Sequence, residues 1–235
     1  MKTIKFTCLC SIVLFTLCAC GPKYITKADA FPKMYEYHPV SILVLPPINE
    51  STAAEAKEYY GTTIAEPLSL NGYYIFPLEV SADILKSEGI YDTELLLDVP
   101  AQKFKESFGA DAVLYVKILK WDTSYYVIGG NVTVSVDFLM RSTETGEDIW
   151  KYNGTITVDT SGDSGQAGGL AGLIIKAVAT AVKTATTDYI PVAKMANNTA
   201  LVSIPAGKYS PNFDKDRDTK AVMEQKVNKS NQPEK

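Results

Sequence analysis

Beyond its first twenty residues this sequence has no cysteine. All four, Cys8, Cys10, Cys18 and Cys20, lie in the opening segment of the 235-residue chain. The body therefore forms no disulfide and offers no thiol nucleophile. There is a single histidine, His38. A zinc site needs three or four ligands drawn largely from Cys and His, and a serine triad needs a His base; both lack material. Basic residues number 23 against 27 acidic ones, net −4, with no basic stripe, which argues against nucleic acid as a partner. No phosphate-binding glycine loop and no dinucleotide fingerprint occurs. The longest uncharged apolar run, Phe6 to about Ala19, is shorter than the roughly 20 residues that span a bilayer.

What is present begins with that run. Lys2 and Lys5 precede it, and small residues come after it, the layout of a secretory signal peptide. It ends Leu17-Cys18-Ala19-Cys20-Gly21, which resembles the bacterial lipobox, with Cys18 in a slot where Ala or Ser is commoner. The resemblance implies cleavage before Cys20, a diacylglyceryl group on its thiol and a third acyl chain on its amine. More than one buried chain is needed for stable anchoring. Gly21, rather than Asp, after the Cys implies the outer membrane. The plain alternative is an unlipidated signal peptide cut near Ala19. Cleavage before Cys20 leaves 216 residues with 21 basic and 27 acidic side chains, net −6.

The chain then divides into a lipidated tether over 20–33, an α/β domain over 34–206 and a polar tail over 207–235 that reads as disordered because it mixes charges with few apolar residues. Within the domain, Val40–Leu45 reads as a buried strand stopped by Pro46-Pro47. Thr52-Ala53-Ala54-Glu55 is a capping-box pattern, predicting a helix that ends before Pro67. Tyr73–Phe76 after Asn71-Gly72 reads as a strand. Ser81 is positioned to cap a short helix through Lys86, and Ala101–Phe108 predicts another, stopped by Gly109. Three long strands come next: Val113–Trp121, then the alternating Val132, Val134, Val136, Phe138 and Met140, then Asp148–Val158, in an antiparallel meander. Leu170, Leu173, Ile174, Ala177, Val178, Ala181 and Val182 form one helical stripe. Leu201–Ile204 reads as a last strand. The fold class is α/β, a mixed sheet with helices packed against it.

Four segments, taken in order, resemble a family of bacterial lipoproteins of unknown function typified by a meningococcal surface antigen. They are Pro67-Leu68 leading to Gly72–Pro77, Phe108–Val116, Thr145-Gly146-Glu147 leading to Trp150, and Gly168-Gly169-Leu170. The resemblance covers about Cys20 to Ala206. It implies the α/β fold shared with the amino-terminal domain of TolB and with curli-secretion lipoproteins. It further implies a homodimer anchored by lipid in the periplasm, working beside a curli-secretion-like lipoprotein or other envelope proteins. It carries over one site residue, the lipidated Cys20.

Other candidates weigh less. Gly162-Asp163-Ser164-Gly165 resembles the nucleophile segment of chymotrypsin-like proteases, but Gln166 comes next and only His38 could serve as base. His38 itself reads as an ordinary residue entering the first strand. Asp111, Asp122, Asp137 and Asp159 sit at strand ends or on polar faces; two carboxylates would suffice for glycoside hydrolysis, yet nothing in the spacing selects a pair. Three tyrosine doublets, Tyr59-Tyr60, Tyr73-Tyr74 and Tyr125-Tyr126, place rings suited to interfaces. The expectation is a non-catalytic, lipid-anchored protein of the outer membrane, facing the periplasm, that binds protein partners. The alternatives are a small-molecule or glycan binder with an aromatic pocket, and a carboxylate hydrolase. No catalytic, cofactor-binding or metal-ligating residue is assigned.

Overall fold

The computed structural model describes residues 25–126, 129–159, 190–201, 203–221 and 224–226. The segment read as a signal peptide, Cys20, Ser164 and the apolar stripe from Leu170 to Val182 lie outside the described residues. In chain order the elements are α1 (Lys27–Ala30), α2 (Pro32–Tyr37), β1 (Ser41–Val44), β2 (Ile48–Asn49), α3 (Ala56–Leu70), β3 (Tyr74–Ile75), α4 (Leu78–Ser87), a 3₁₀ turn (Thr93–Leu96), α5 (Gln102–Phe108), β4 (Ala112–Tyr126), β5 (Gly129–Ser142), β6 (Asp148–Asp159), α6 (Ile190–Leu201) and β7 (Glu224–Lys226).

The strands join one mixed sheet in the order β3-β1-β4-β5-β6-β7, with β2 also on β4. β1 runs parallel to β3 and β4. β4, β5 and β6 form the antiparallel meander that their alternation dictates. The α/β class and the meander are therefore as the sequence indicates. Between Ile118 and Lys120 the β4–β5 register shifts by a bulge. A bulge inserts one residue and reverses the facing of the strand beyond it. Ile118 and Trp121 can thus lie in the same core despite their odd spacing.

The sheet carries two cores. The larger packs Ile42, Val44, Leu114, Val116, Val136, Phe138, Met140 and Trp150 beneath Tyr60, Ile64 and Leu68 of α3 and the alanines of α6. The smaller lies on the other face, where Leu43, Leu45, Val113 and Tyr115 meet Leu85, Leu96 and Phe104. Gly109 stops α5 in the left-handed region at φ 73°, with its N–H on the Lys105 carbonyl.

Several boundaries differ from the sequence reading, each for a physical reason. α3 starts at Ala56 rather than near Thr52 because Asn49 holds the preceding loop. Its amide donates to the Ala53 carbonyl at 2.7 Å and its oxygen accepts from Ser51 N–H and Oγ. α3 also continues through Pro67; carrying on buries Leu68 completely, which outweighs the ladder bond a proline removes. α4 begins at Leu78, so Ser81 is interior and its Oγ donates to the Pro77 carbonyl. Leu201, Ser203 and Ile204 are not in a strand: Leu201 ends α6, and its carbonyl accepts from the Ile204 N–H.

The two largest corrections concern the termini. The tether read over 20–33 is part of the domain from Ile25 onward: Thr26 caps α1, and Phe31 and Met34 are core residues. The tail read as disordered from Gly207 is folded onto the domain through Ala221. Gly207 and Tyr209 N–H groups donate to the Asn71 and Gly72 carbonyls at 2.9 and 3.0 Å. A Cβ on Gly72, whose φ is +89°, would stand 2.3 Å from the Ser210 nitrogen, and one on Gly207 2.4 Å from the Gly72 oxygen. Only glycine at both positions admits this backbone contact. Residues 25–28 and 217–221 then pair with each other: Lys27 and Ala28 N–H donate to Thr219 and Arg217 carbonyls, and Ala221 N–H to Ile25. These two segments meet at the end of the domain where β1 begins, which forms its base.

Candidate functional site

The residues singled out for chemistry are dispersed and occupied. Asp111 caps the entry to β1, its Oδ2 accepting from Val40 N–H, Ser41 N–H and Ser41 Oγ at 3.0–3.1 Å. Asp122 pairs with Lys120 at 3.1 Å, and Asp137 accepts from the Asn153 amide across the meander. Of Asp159 only the backbone is described, at the end of β6. His38 terminates α2 at φ 43° with its ring 5.1 Å from that of Phe213. Among the described residues no group of three or more His, Cys, Asp or Glu could hold a metal, and no helix is long and apolar enough to cross a membrane.

An open groove of about 710 Å³ runs from Phe31 past β6 to Leu97 and Tyr115. Its aromatic lining is not offered to a ligand. Phe138, Trp150 and Tyr152 are at most 2% exposed and pack on one another, Trp150 stacked on Tyr152 at 6.4 Å between ring centroids. What remains at the surface is mixed: the partly exposed Leu97 and Leu139 beside Lys117, Asp137, Lys151 and Asn153. Asp148, at its rim, is partly buried, which by itself would raise its pKa; the hydrogen bonds from Lys151 and Arg141 outweigh that and hold it below the usual aspartate value.

Exposed apolar side chains show a clearer grouping. Eight large ones are exposed among the described residues, and five of them, Tyr74, Val80, Ile84, Tyr91 and Leu95, fall on β3, α4 and the stretch through the 3₁₀ turn after it. Val80 and Ile84 are four apart and share one face of α4, while Ser81 and Leu85 turn inward. Tyr73 and Tyr74 split as adjacent residues of an extended segment must, one buried and one outward. The other three, Ile25, Leu70 and Tyr209, belong to α3's end and the terminal segments. Sequence reading noted the tyrosines but not the α4 face. The i, i+4 pair Val80 and Ile84, together with Leu95, was a signal that could have found it.

At the base a buried polar network joins the termini. Lys27 Nζ donates to Asp216 at 3.0 Å and to the Ile204 carbonyl at 2.8 Å. Asp216 also accepts from Tyr35 OH and Ala206 N–H, both at 3.0 Å. The Arg217 guanidinium stands 4.5 Å above the Tyr35 ring, and Tyr73 OH donates to the Pro205 carbonyl at 2.7 Å. Burial, then Asp216, raises the Tyr35 phenol's pKa well above normal.

A family model described as "GNA1162-like: Putative lipoprotein GNA1162-like" matches residues 30–208. The chain is 30% identical over 175 residues, 74% of its length and 80% of the relative's, to "Putative lipoprotein NMB1124/NMB1162" of Neisseria meningitidis serogroup B. Among solved structures, it resembles the lipoprotein GNA1162 of Neisseria meningitidis at 31% identity and TM-score 0.49, covering 63% of this chain and all of that one. It also resembles the PelC dodecamer of Paraburkholderia phytofirmans at 19% identity and TM-score 0.40, covering 66% of this chain and 90% of that one. The match over 30–208 spans β1 to β6, both cores and the glycine contact at the base: the chain belongs to the GNA1162-like family of lipoproteins.

Proposed function

We propose that this protein is anchored by acyl chains on Cys20 to the outer membrane, faces the periplasm, and acts without catalysis as a protein-binding component of an envelope secretion or assembly complex. The anchor is supported by the lipobox Leu17–Cys20 and by membership of a lipoprotein family. The observation that carries the binding role is the exposed apolar group Val80, Ile84, Tyr91 and Leu95. Val80 and Ile84 share one face of α4 with Tyr91 and Leu95 following in the next stretch of chain, and exposed apolar side chains that are grouped rather than scattered mark association surfaces. The partner is a second copy of this chain or another envelope protein, such as a curli-secretion-like lipoprotein.

Photocrosslinking from positions 84 and 95 in intact cells tests this, with exposed Glu36 as the control position. Discrete adducts from 84 and 95 support the reading. An adduct of twice the chain mass identifies the homodimer, and any other mass identifies a different envelope protein. Adducts no stronger than those from position 36 overturn it. The anchor is read separately by mass spectrometry of the mature amino terminus and by loss of membrane fractionation in Cys20→Ala.

A second reading, a small-molecule binder, has the open groove in its favour. The two lysines at its mouth predict that Lys117→Ala with Lys151→Ala abolishes any ligand-induced rise in melting temperature. Retention of that rise would dispose of the groove as the binding place.

A further inference from the structure

Charge is segregated along this chain. Residues 34–206 carry 11 basic and 21 acidic side chains, net −10, whereas 20–33 and 207–235 together carry ten basic and six acidic ones, net +4. In sequence these terminal segments are almost as far apart as the chain allows. The fold brings them together: residues 25–28 pair with 217–221, and Lys27 is buried against Asp216. The stretches that meet there, 25–33 and 207–221, carry six basic and four acidic side chains, net +2, so an acidic domain has one end whose terminal stretches are cationic.

That end is also where the chain leaves toward its anchor. With residue 25 already fixed by its carbonyl to Ala221, only five peptide steps separate it from Cys20. Extended chain advances at most about 3.5 Å per residue, so the leash reaches about 17 Å. The domain cannot wander far from the leaflet that holds it, and the surface around Ile25 is the one closest to the headgroups. The exposed lysines and large apolar side chains there are Ile25, Lys208, Tyr209, Lys215 and Lys220. Asp29, Glu36, Glu144, Asp214 and Asp218 are exposed at this end as well, Glu144 beside Lys105, Asp214 tied to Arg217 and the nearby Glu147 held by Lys33, and the terminal segments stay cationic on balance. Lysines facing a headgroup layer with tyrosine and isoleucine between them are suited to an anionic interface. The network beneath makes this surface rigid: Asp216 accepts from three donors in three different segments.

From the leash length, the charge segregation and this surface we infer that the base of the domain, at Lys208, Tyr209, Lys215 and Lys220, rests on anionic phospholipid headgroups of the membrane that holds the anchor. This rests on the Cys20 anchor proposed above. Attraction of the base and repulsion of the acidic body act in the same sense, holding the domain upright. Tyr91 and Leu95 are then presented away from the bilayer. Thr93 beside them donates to the Pro46 carbonyl just past the end of β1, while Tyr209 docks where β1 and β3 begin.

The native tryptophans Trp121 and Trp150 are buried, so an indole introduced at the surface can be read against them. The mature lipoprotein carrying Tyr209→Trp or Tyr91→Trp is reconstituted into phosphatidylethanolamine–phosphatidylglycerol vesicles containing lipids spin-labelled near the headgroup. Quenching at position 209 is expected to exceed that at position 91 by about twofold or more, and the difference should shrink as salt shortens the Debye length. Lys208→Glu, Lys215→Glu and Lys220→Glu together should remove the difference while the protein still floats with the vesicles. Equal quenching at both positions in floating protein, or a difference that survives the charge reversal, overturns the docking and leaves the anchor intact. Protein that does not float removes the anchor, and this orientation with it.

Discussion

Two places in the interior bury polar atoms, and they treat them oppositely. At the base, Lys27, Asp216, Tyr35 and Tyr73 each find a partner at 2.7–3.0 Å across more than 130 residues of chain. Under α3, the Tyr60 hydroxyl, the Tyr152 hydroxyl and the Trp150 indole nitrogen are buried with no hydrogen-bond partner among the described residues. Their rings explain their presence: Tyr60 lies against Trp121 and Phe138, and Phe138 against Trp150 and Tyr152. The centre of the core needs volume, and aromatic bulk supplies it whatever its polar tips do. The base needs direction. Apolar contact would hold the two termini together without fixing their register, whereas a carboxylate with three donors accepts one arrangement.

The largest effect is therefore expected at Asp216. Asp216→Ala leaves the Lys27 ammonium buried without its counter-charge, and breaking such a pair costs about 3–5 kcal/mol. Urea denaturation should show this loss, with early release of the terminal segments in hydrogen exchange. Replacing both partners, Lys27→Met with Asp216→Leu, should recover most of it, since a buried pair exchanged for apolar residues of similar volume is often neutral. If the double variant is as unstable as the single one, the network contributes by position and not by compensating a buried charge.

Removing one hydroxyl at a time sharpens the contrast. Tyr73→Phe deletes the bond to the Pro205 carbonyl and is expected to cost about 1 kcal/mol. Tyr60→Phe and Tyr152→Phe delete hydroxyls that have no partner among the described residues, and each should be neutral within about 0.5 kcal/mol or stabilising. The tyrosine at 152 offers an independent check. Burial pushes its phenol up to about 12, so it stays neutral in the folded chain while it ionises near 10 on unfolding. A raised folded value means stability that is complete below pH 10 and lost as pH rises toward 12. Tyr152→Phe should flatten that part of the alkaline limb.

This division also explains what the sequence disclosed and what it hid. The meander was legible because Val134, Val136, Phe138 and Met140 alternate with polar residues, a period set by local geometry. α5 was legible because Gly109 supplies the left-handed stop. α6 was not: Asn197, Asn198 and Thr199 are weak helix formers, and the compensation is tertiary, Asn197 donating to Thr63 Oγ1 of α3 at 2.8 Å. Pro191, which reads as a breaker, stands in the first turn of the helix, where proline is tolerated. The base was the least visible. Lys27 and Asp216 look like solvated charges in any local window, and their partnership spans 189 residues. The lipobox-like stretch Leu17–Cys20 is the converse case, a pattern whose information is entirely local.

The smallest effect sets the same chemistry in water. Glu147, in the turn between β5 and β6, accepts from Lys33 Nζ at 2.6 Å and from Tyr37 OH, a carboxylate with a lysine and a tyrosine as at Asp216. Here the groups are exposed to solvent. The bonds from Lys33 and then Tyr37 hold the Glu147 carboxyl below its ordinary 4.5, and the Glu147 bond holds Lys33 above its ordinary 10.5. The signs come from linkage. A lowered carboxylate value gives stability that is present above 4.5 and lost as pH falls through the folded value. A raised lysine value gives stability that is present below 10.5 and lost as pH rises through the folded value. Glu147→Gln should accordingly lower the melting temperature slightly across the neutral plateau and merge with the parent chain at both extremes. Salt should shrink the plateau difference, because exposed pairs are screened, while leaving the Asp216→Ala deficit nearly unchanged. A deficit at Glu147 as large and as insensitive to salt as that at Asp216 would mean that the donor set alone, and not its burial, distinguishes the base from the rest of the surface.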